Sequence, residues 1–270
     1  MTFTARSWLA PARPDFPDAI EDPRERKAIK IELLIVFGIT LGLSGVRSLL
    51  SLVDSLLQPA PLAQQQVQLN VPQAAASLID LLKQLLSAAQ LVGWGALGLY
   101  LLWRAGVKIT QVGLDRRSPG RDALLTVALA AVIGIPGLAL YFISYHLGFS
   151  LAVQPSTLND TWWRPISLTL SAFGNAFAEE VLVIGYLLTR LRQLGVRENN
   201  ALFGAAVLRG SYHLYQGFGG FVGNLIMGLV FGRLWQKTNR LWPLVAAHTL
   251  FDFVSFVGYA LLKGHLSWLP

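Results

Sequence analysis

The stretch PISLTLSAFGNAFAEEVLVIGYLLTRL, residues 165–191, decides the fold. It exceeds the roughly 20 residues that an apolar helix needs to cross a bilayer. Yet it carries two adjacent glutamates, Glu179 and Glu180, near its middle. A charged side chain at such depth costs about 2.5 kcal/mol or more, so it faces a bundle interior, finds partners and marks function by default.

The composition around this stretch agrees. Of 270 residues, 53% are hydrophobic and 14% charged, against about a quarter charged in soluble domains. Too few charges remain to coat a water-facing surface. The net charge of +7 sits in short clusters between apolar runs. That placement excludes a nucleic-acid partner in favour of the Lys/Arg bias of membrane loops. There is no cysteine, which excludes disulfides, thiolate zinc sites and a cysteine nucleophile.

Seven crossings, within a range of six to eight, are predicted, giving an all-α polytopic transmembrane bundle. The spans are 31–53, one within 75–103, 123–147, 165–191, 201–215, 221–235 and 242–262. Basic clusters follow spans two, four and six and precede span one, while the other loops are poor in Lys and Arg. The N-terminus is therefore expected in the cytoplasm, in a bacterial plasma membrane. Residues 1–30 read as a cytoplasmic tail without a signal peptide, carrying a short helix from Pro23 to Lys30. Residues 31–160 form N-terminal transmembrane helices with almost no polar residues at depth, and 161–270 form the core that carries the site. Residues 58–72 and the polar stretch around Pro155, Asn159 and Asp160 read as loops, and the tryptophans as interfacial belts.

Three helices bring titratable groups to similar depth. At about 1.5 Å per residue, Glu179 lies roughly 18 Å from the inner face, His213 roughly 20 Å, Asp252 roughly 15 Å and His248 roughly 9 Å. His248 and Asp252 are four apart and share a helix face, as do Asn175 and Glu179. Glu180 is rotated by about 100° from Glu179 and looks elsewhere. A carboxylate with histidines suits activation of water. The same four residues, Glu179, His213, His248 and Asp252, also suit a divalent metal such as Zn2+, if one is used. No HExxH is present. Ser171 and Ser211 are the serines near the cluster, and neither sits in a GxSxG elbow.

Three runs carry a family resemblance. Residues 179–188, EEVLVIGYLL, resemble the first motif of the CPBP family, the type II CAAX prenyl protease and bacteriocin-processing (ABI) group. Residues 212–220, YHLYQGFGG, resemble its second motif, and 248–252, HTLFD, its third. The resemblance covers about 165–262. It implies a membrane-embedded hydrolase, a glutamate- or metal-dependent protease acting on a peptide or membrane-protein substrate. In the family, the first Glu and the motif-two His activate water, and the motif-three pair stabilises an oxyanion or ligates metal. Carried over, these are Glu179, His213, His248 and Asp252, with Glu180, Arg209 and Asn175 in support. Two positions depart from the pattern: Ile184 replaces the motif-one Arg, and Arg209 replaces a Phe four residues before His213. Arg209 is expected to supply the charge that Ile184 lacks. The competing reading is a non-catalytic scaffold or accessory subunit, partnered by lipids and other membrane proteins.

Overall fold

The structure, a computed structural model, describes residues 17–263. The first sixteen residues of the expected tail, and His265, lie outside the described residues. Helix α1 (Pro23–Ile39) starts at Asp22, whose carboxylate accepts from the Arg24 amide at 3.0 Å, with proline in the first turn. Proline there presets φ and removes an amide that has no helical partner anyway. The short helix expected from Pro23 is thus the start of a longer one. At Thr40 the backbone leaves helical geometry, and α2 (Leu41–Leu57) continues at an angle of 47°.

Six further helices follow: α3 (Ser77–Arg104), α4 (Pro119–His146), α5 (Arg164–Gln193), α6 (Glu198–Ser211), α7 (Phe218–Thr238) and α8 (Trp242–Leu262). In their apolar windows 67% of α5 is buried by protein, but only 17% of α3 and 6% of α4. The helix with two glutamates is therefore the one the others surround, and α4 presents its side chains to lipid. Leu34, Leu86, Leu124 and Ile135 are all exposed. That is the expected face of a chain whose helices satisfy their own backbones in hydrocarbon. At the α3–α5 contact, a side chain at Gly95 would meet the Phe177 ring at 2.6 Å, so a small residue sets the approach.

Two segments expected as loops pair instead. Strand β1 (Gln66–Asn70) lies parallel to β2 (Ala152–Ser156). The turn after α6 joins them: Leu151 donates its amide to the Gln216 carbonyl, and the Phe218 amide donates to Phe149. Gly217 sits there at φ 98°, where a Cβ would also strike the Phe149 carbonyl at 2.6 Å. The other ends of the helices meet separately. The Ile20 amide donates to the Gln193 carbonyl and Arg26 to that of Leu194, while Leu241 donates to Gly113. Arg240 pairs with Asp115 at 2.5 Å and also with Asp122. Loops one, three and five thus gather on one side, and loops two, four, six and the tail on the other.

The span count falls at the low end of the expected six to eight. Among the described residues five helices are long and apolar enough to cross a membrane, six if the bent α1–α2 pair is one span. The expected fifth span, 201–215, is instead the 14-residue α6 followed by a turn. At about 1.5 Å per residue α6 covers about 21 Å, and the turn completes the passage between the two sets of loops. The tryptophans divide too: Trp162 and Trp103 are exposed, whereas Trp163 and Trp235 are buried and donate to Ser77 Oγ and the Val112 carbonyl, each at 3.0 Å. The chain is an integral membrane protein of the all-α class.

Candidate active site

Helix α5 changes pitch immediately after Glu179, running as a π-helix over Glu180–Leu187. Wide turns of this kind are rare and recur at functional sites. From α6, the fully buried Arg209 approaches this point with one nitrogen. Its Nη2 donates to Glu180 Oε1 at 2.5 Å and to Glu179 Oε2 at 3.3 Å. Adjacent glutamates on a helix point about 100° apart, and the guanidinium enters the angle between them. The structure therefore brings Glu180 to the same cation as Glu179.

From α8, His248 Nδ1 lies 2.7 Å from Glu180 Oε1 and 3.0 Å from Arg209 Nη2. With the proton on Nδ1, both neighbours donate to the same carboxylate oxygen. His248 Nε2 then faces Asp252 Oδ1 at 3.8 Å. Asn175, one turn before Glu179 on α5, donates from Nδ2 to Asp252 Oδ2 at 3.5 Å. Helices α5 and α8 are thus joined by side chains on both sides of His248.

From the turn after α6 comes His213. Its Nε2 lies 3.8 Å from Glu179 Oε2, and neither ring nitrogen has a hydrogen-bond partner although both are buried. Tyr212 donates its hydroxyl to Glu179 Oε2 at 2.8 Å. The Tyr212 and Arg209 bonds both fall on Oε2, which leaves Oε1 for the space beyond. Tyr212 was not singled out in the sequence. Its position three residues after Arg209, at the C-terminal cap of α6, is the signal that could have found it.

That space is a cavity of about 1190 Å3. Glu179, His213, His248, Asp252 and Asn175 line it; Glu180 and Arg209 do not. Asn224 lines it and also donates to the Gly220 carbonyl at 3.0 Å. The wall further includes Gln68, Asn70, Gln73 and Gln84 from the first half of the chain. These amides were not expected: Gln68, Asn70 and Gln73 lie outside the apolar runs, Gln84 lies within the second, and none belongs to a motif. Ser171 donates to Asn70 Oδ1 and Ser211 to the Leu208 carbonyl, so neither forms a pair with a histidine. Among the described residues no group of three or more His, Asp or Glu is placed to hold a metal ion. The metal reading of Glu179, His213, His248 and Asp252 does not fit this donor arrangement.

Fold and site together define a polytopic helical membrane protein with an ionisable cluster open to an internal cavity. The family model described as type II CAAX prenyl endopeptidase Rce1-like matches residues 161–254. That range contains both glutamates, Arg209, both histidines and Asp252, and it agrees with the CPBP resemblance of the three motifs. No curated protein and no solved structure matches the chain.

Proposed function

We propose that the chain is an intramembrane endopeptidase that hydrolyses a peptide bond with water activated by Glu179 and His213. One observation carries this reading: Glu179, His213, His248 and Asp252, from three separate elements, line a single cavity. A water held beside Glu179 Oε1 and His213 Nε2 lies within reach of both. The 3.8 Å between Glu179 Oε2 and His213 Nε2 is a gap that a substrate-bound state closes, since catalytic hydrogen bonds tighten on binding. Two donors on Oε2 keep Glu179 an acceptor, ready for the proton of the attacking water. His248 has a carboxylate near each nitrogen. As imidazolium it donates from Nδ1 to Glu180 and offers Nε2–H to the oxyanion that forms on the attacked carbonyl. Asp252, an acceptor only when ionised, orients that ring. Glu179 and His213 then return the proton to the leaving amine.

Arg209 is assigned a positioning role. It supplies from α6 the positive charge that Ile184 does not supply from α5. The double variant Arg209→Phe, Ile184→Arg should recover folding and activity lost in Arg209→Phe alone; no recovery would discard the exchange.

The reading is tested with the full chain in liposomes and a pool of random decapeptides. Hydrolysis should disappear in Glu179→Ala and His213→Ala while both variants stay folded. Unchanged behaviour of those variants, with sensitivity to changes in α1–α4 instead, would favour the scaffold.

A further inference from the structure

The two-stranded sheet leaves one edge open. In a parallel pair, alternate residues of each strand turn their backbone groups toward the partner and the rest turn away. The Ala152 amide donates to the Gln65 carbonyl, and the register sets Gln66 opposite Ala152 and Gln68 opposite Gln154. Gln66 and Gln68 therefore point their own N–H and C=O groups away from β2, and both residues are exposed. The far edge of β2 is closed. Its Val153 amide donates to the Tyr141 hydroxyl at 3.0 Å, and Pro155 has no N–H to offer. An edge blunted in this way takes no further strand, so β1 is where an extended chain can add.

The open strand leads to the cluster. Gln68, Leu69 and Asn70 line the cavity that also holds Glu179. Asn70 accepts from Ser171 on α5 at 3.0 Å, which fixes β1 two turns before Glu179. The eight residues from Ser171 to Glu179 rise about 12 Å, the length of about four extended residues at roughly 3.3 Å each. The wall at this level is made of the neutral amides of Gln68, Asn70, Gln73 and Gln84. They are tied to one another and to the backbone: Gln84 donates to the Val71 carbonyl at 2.8 Å, and Gln73 to Gln84 Oε1 at 3.3 Å. Neutral amides around an open row of N–H and C=O groups match a peptide backbone rather than a charged headgroup.

We infer that the outer edge of β1 binds an extended, uncharged stretch of the peptide substrate as a third strand, about four residues from the bond presented to Glu179. The inference rests on the peptidase reading, since it names how that substrate is held. Backbone hydrogen bonds give such a site affinity with little demand on sequence.

The test uses the full chain in liposomes and the random decapeptide pool, each peptide carrying a benzophenone for photolabelling. Labelling should fall on residues 66–70. A matched pool with alternate amides N-methylated should label about three- to tenfold less, the worth of one net hydrogen bond. Gln68→Pro deletes an outward N–H without touching the ladder, and should lose about as much. Gln68→Ala loses the same side-chain contact to Gln154 but keeps the N–H, and should label more than Gln68→Pro. Labelling that ignores N-methylation, that is equal for Pro and Ala, or that avoids residues 66–70 would overturn the strand site. So would a Gln68→Cys variant, in a chain with no other cysteine, that forms disulfides between copies in place of peptide labelling. Hydrolysis of the same pool is followed in parallel. Labelling at β1 without hydrolysis contradicts the peptidase reading and leaves the strand site standing; hydrolysis without such labelling does the reverse.

Discussion

Two of the buried ion clusters on helix α5 are finished differently. Toward its C-terminal end, Arg190 forks onto Glu32, with Nε donating to Oε1 at 2.8 Å and Nη2 to Oε2 at 2.9 Å. Its Nη1 donates to Gln193, and the Tyr186 hydroxyl adds a 2.7 Å bond to Glu32. Every guanidinium nitrogen is used, and none of these residues lines the cavity. Ten residues earlier on α5, at Glu180, the Arg209 of α6 does all its hydrogen bonding with Nη2. Its Nε and Nη1 are buried without hydrogen-bond partners, as are Glu180 Oε2 and both nitrogens of His213. Buried polar groups are nearly always paired, and each exception calls for an explanation. Among the described residues half of the exceptions lie at and behind the cavity wall, and the others, such as Arg192 Nη1 and Gln236 Oε1, lie apart from it. The Arg190 cluster is a tie between α1 and α5; the Arg209 cluster borders the cavity with bonding capacity unused.

The contrast breaks most visibly in activity. His213→Ala should lower hydrolysis by about 10²- to 10⁴-fold, the usual worth of a general base. Its melting temperature should stay near that of the unaltered chain, because the imidazole gives up no hydrogen bond. A collapse in melting with activity per folded molecule retained would place His213 among the structural residues.

Stability separates the two arginines next. Arg209→Leu leaves the buried Glu180 with His248 as its one remaining partner and should cost about 3–5 kcal/mol in detergent unfolding. Adding Glu180→Leu should restore much of that stability but not the activity. Arg190→Leu should cost less, about 1.5–3 kcal/mol, since Glu32 is partly exposed and retains Tyr186. Its activity per folded molecule should be unchanged. Equal stability losses and equal activity losses would erase the distinction.

The smallest effect lies outside the spans. Burial alone would raise the Asp115 carboxyl, but hydrogen bonds from Arg240 and the Arg117 amide, with both positive charges, hold it below its ordinary 3.8. A carboxylate lowered by folding adds stability above its unfolded pKa and loses it as pH falls through the folded one. Tethering of the loop after α3 to Arg240 should therefore weaken only in acid below 3.8, by under about 1 kcal/mol. Proteolysis of the 105–118 loop reads this, and Asp115→Asn should reduce the dependence of cleavage on pH.

Much of this was legible in the sequence because burying charge in a membrane is costly. Glu179, Glu180, Arg209, His213, His248 and Asp252 stood out against apolar runs, and the structure gathers all six. The i,i+4 spacing placed His248 and Asp252 on one face correctly. Four things were not legible. The sharing of Arg209 by adjacent glutamates needs the approach of a second helix, and the π-helical pitch of α5 has no local signature. The 14-residue α6 reads as a full span because its turn, with Tyr212, Leu214 and Tyr215, is also apolar. The β1–β2 pair joins segments more than eighty residues apart through glutamine-rich sequence that has no strand periodicity.

The central claim is that, of these two clusters, the one that borders the cavity with unused bonding capacity is the catalytic one. It is tested most directly by measuring decapeptide hydrolysis for the unaltered chain, Glu179→Gln and Arg190→Leu in liposomes at equal amounts of folded protein. Hydrolysis by the unaltered chain and Arg190→Leu, with loss of about a hundredfold or more in Glu179→Gln, is the expected result. Hydrolysis that survives in Glu179→Gln and fails in Arg190→Leu would contradict the claim.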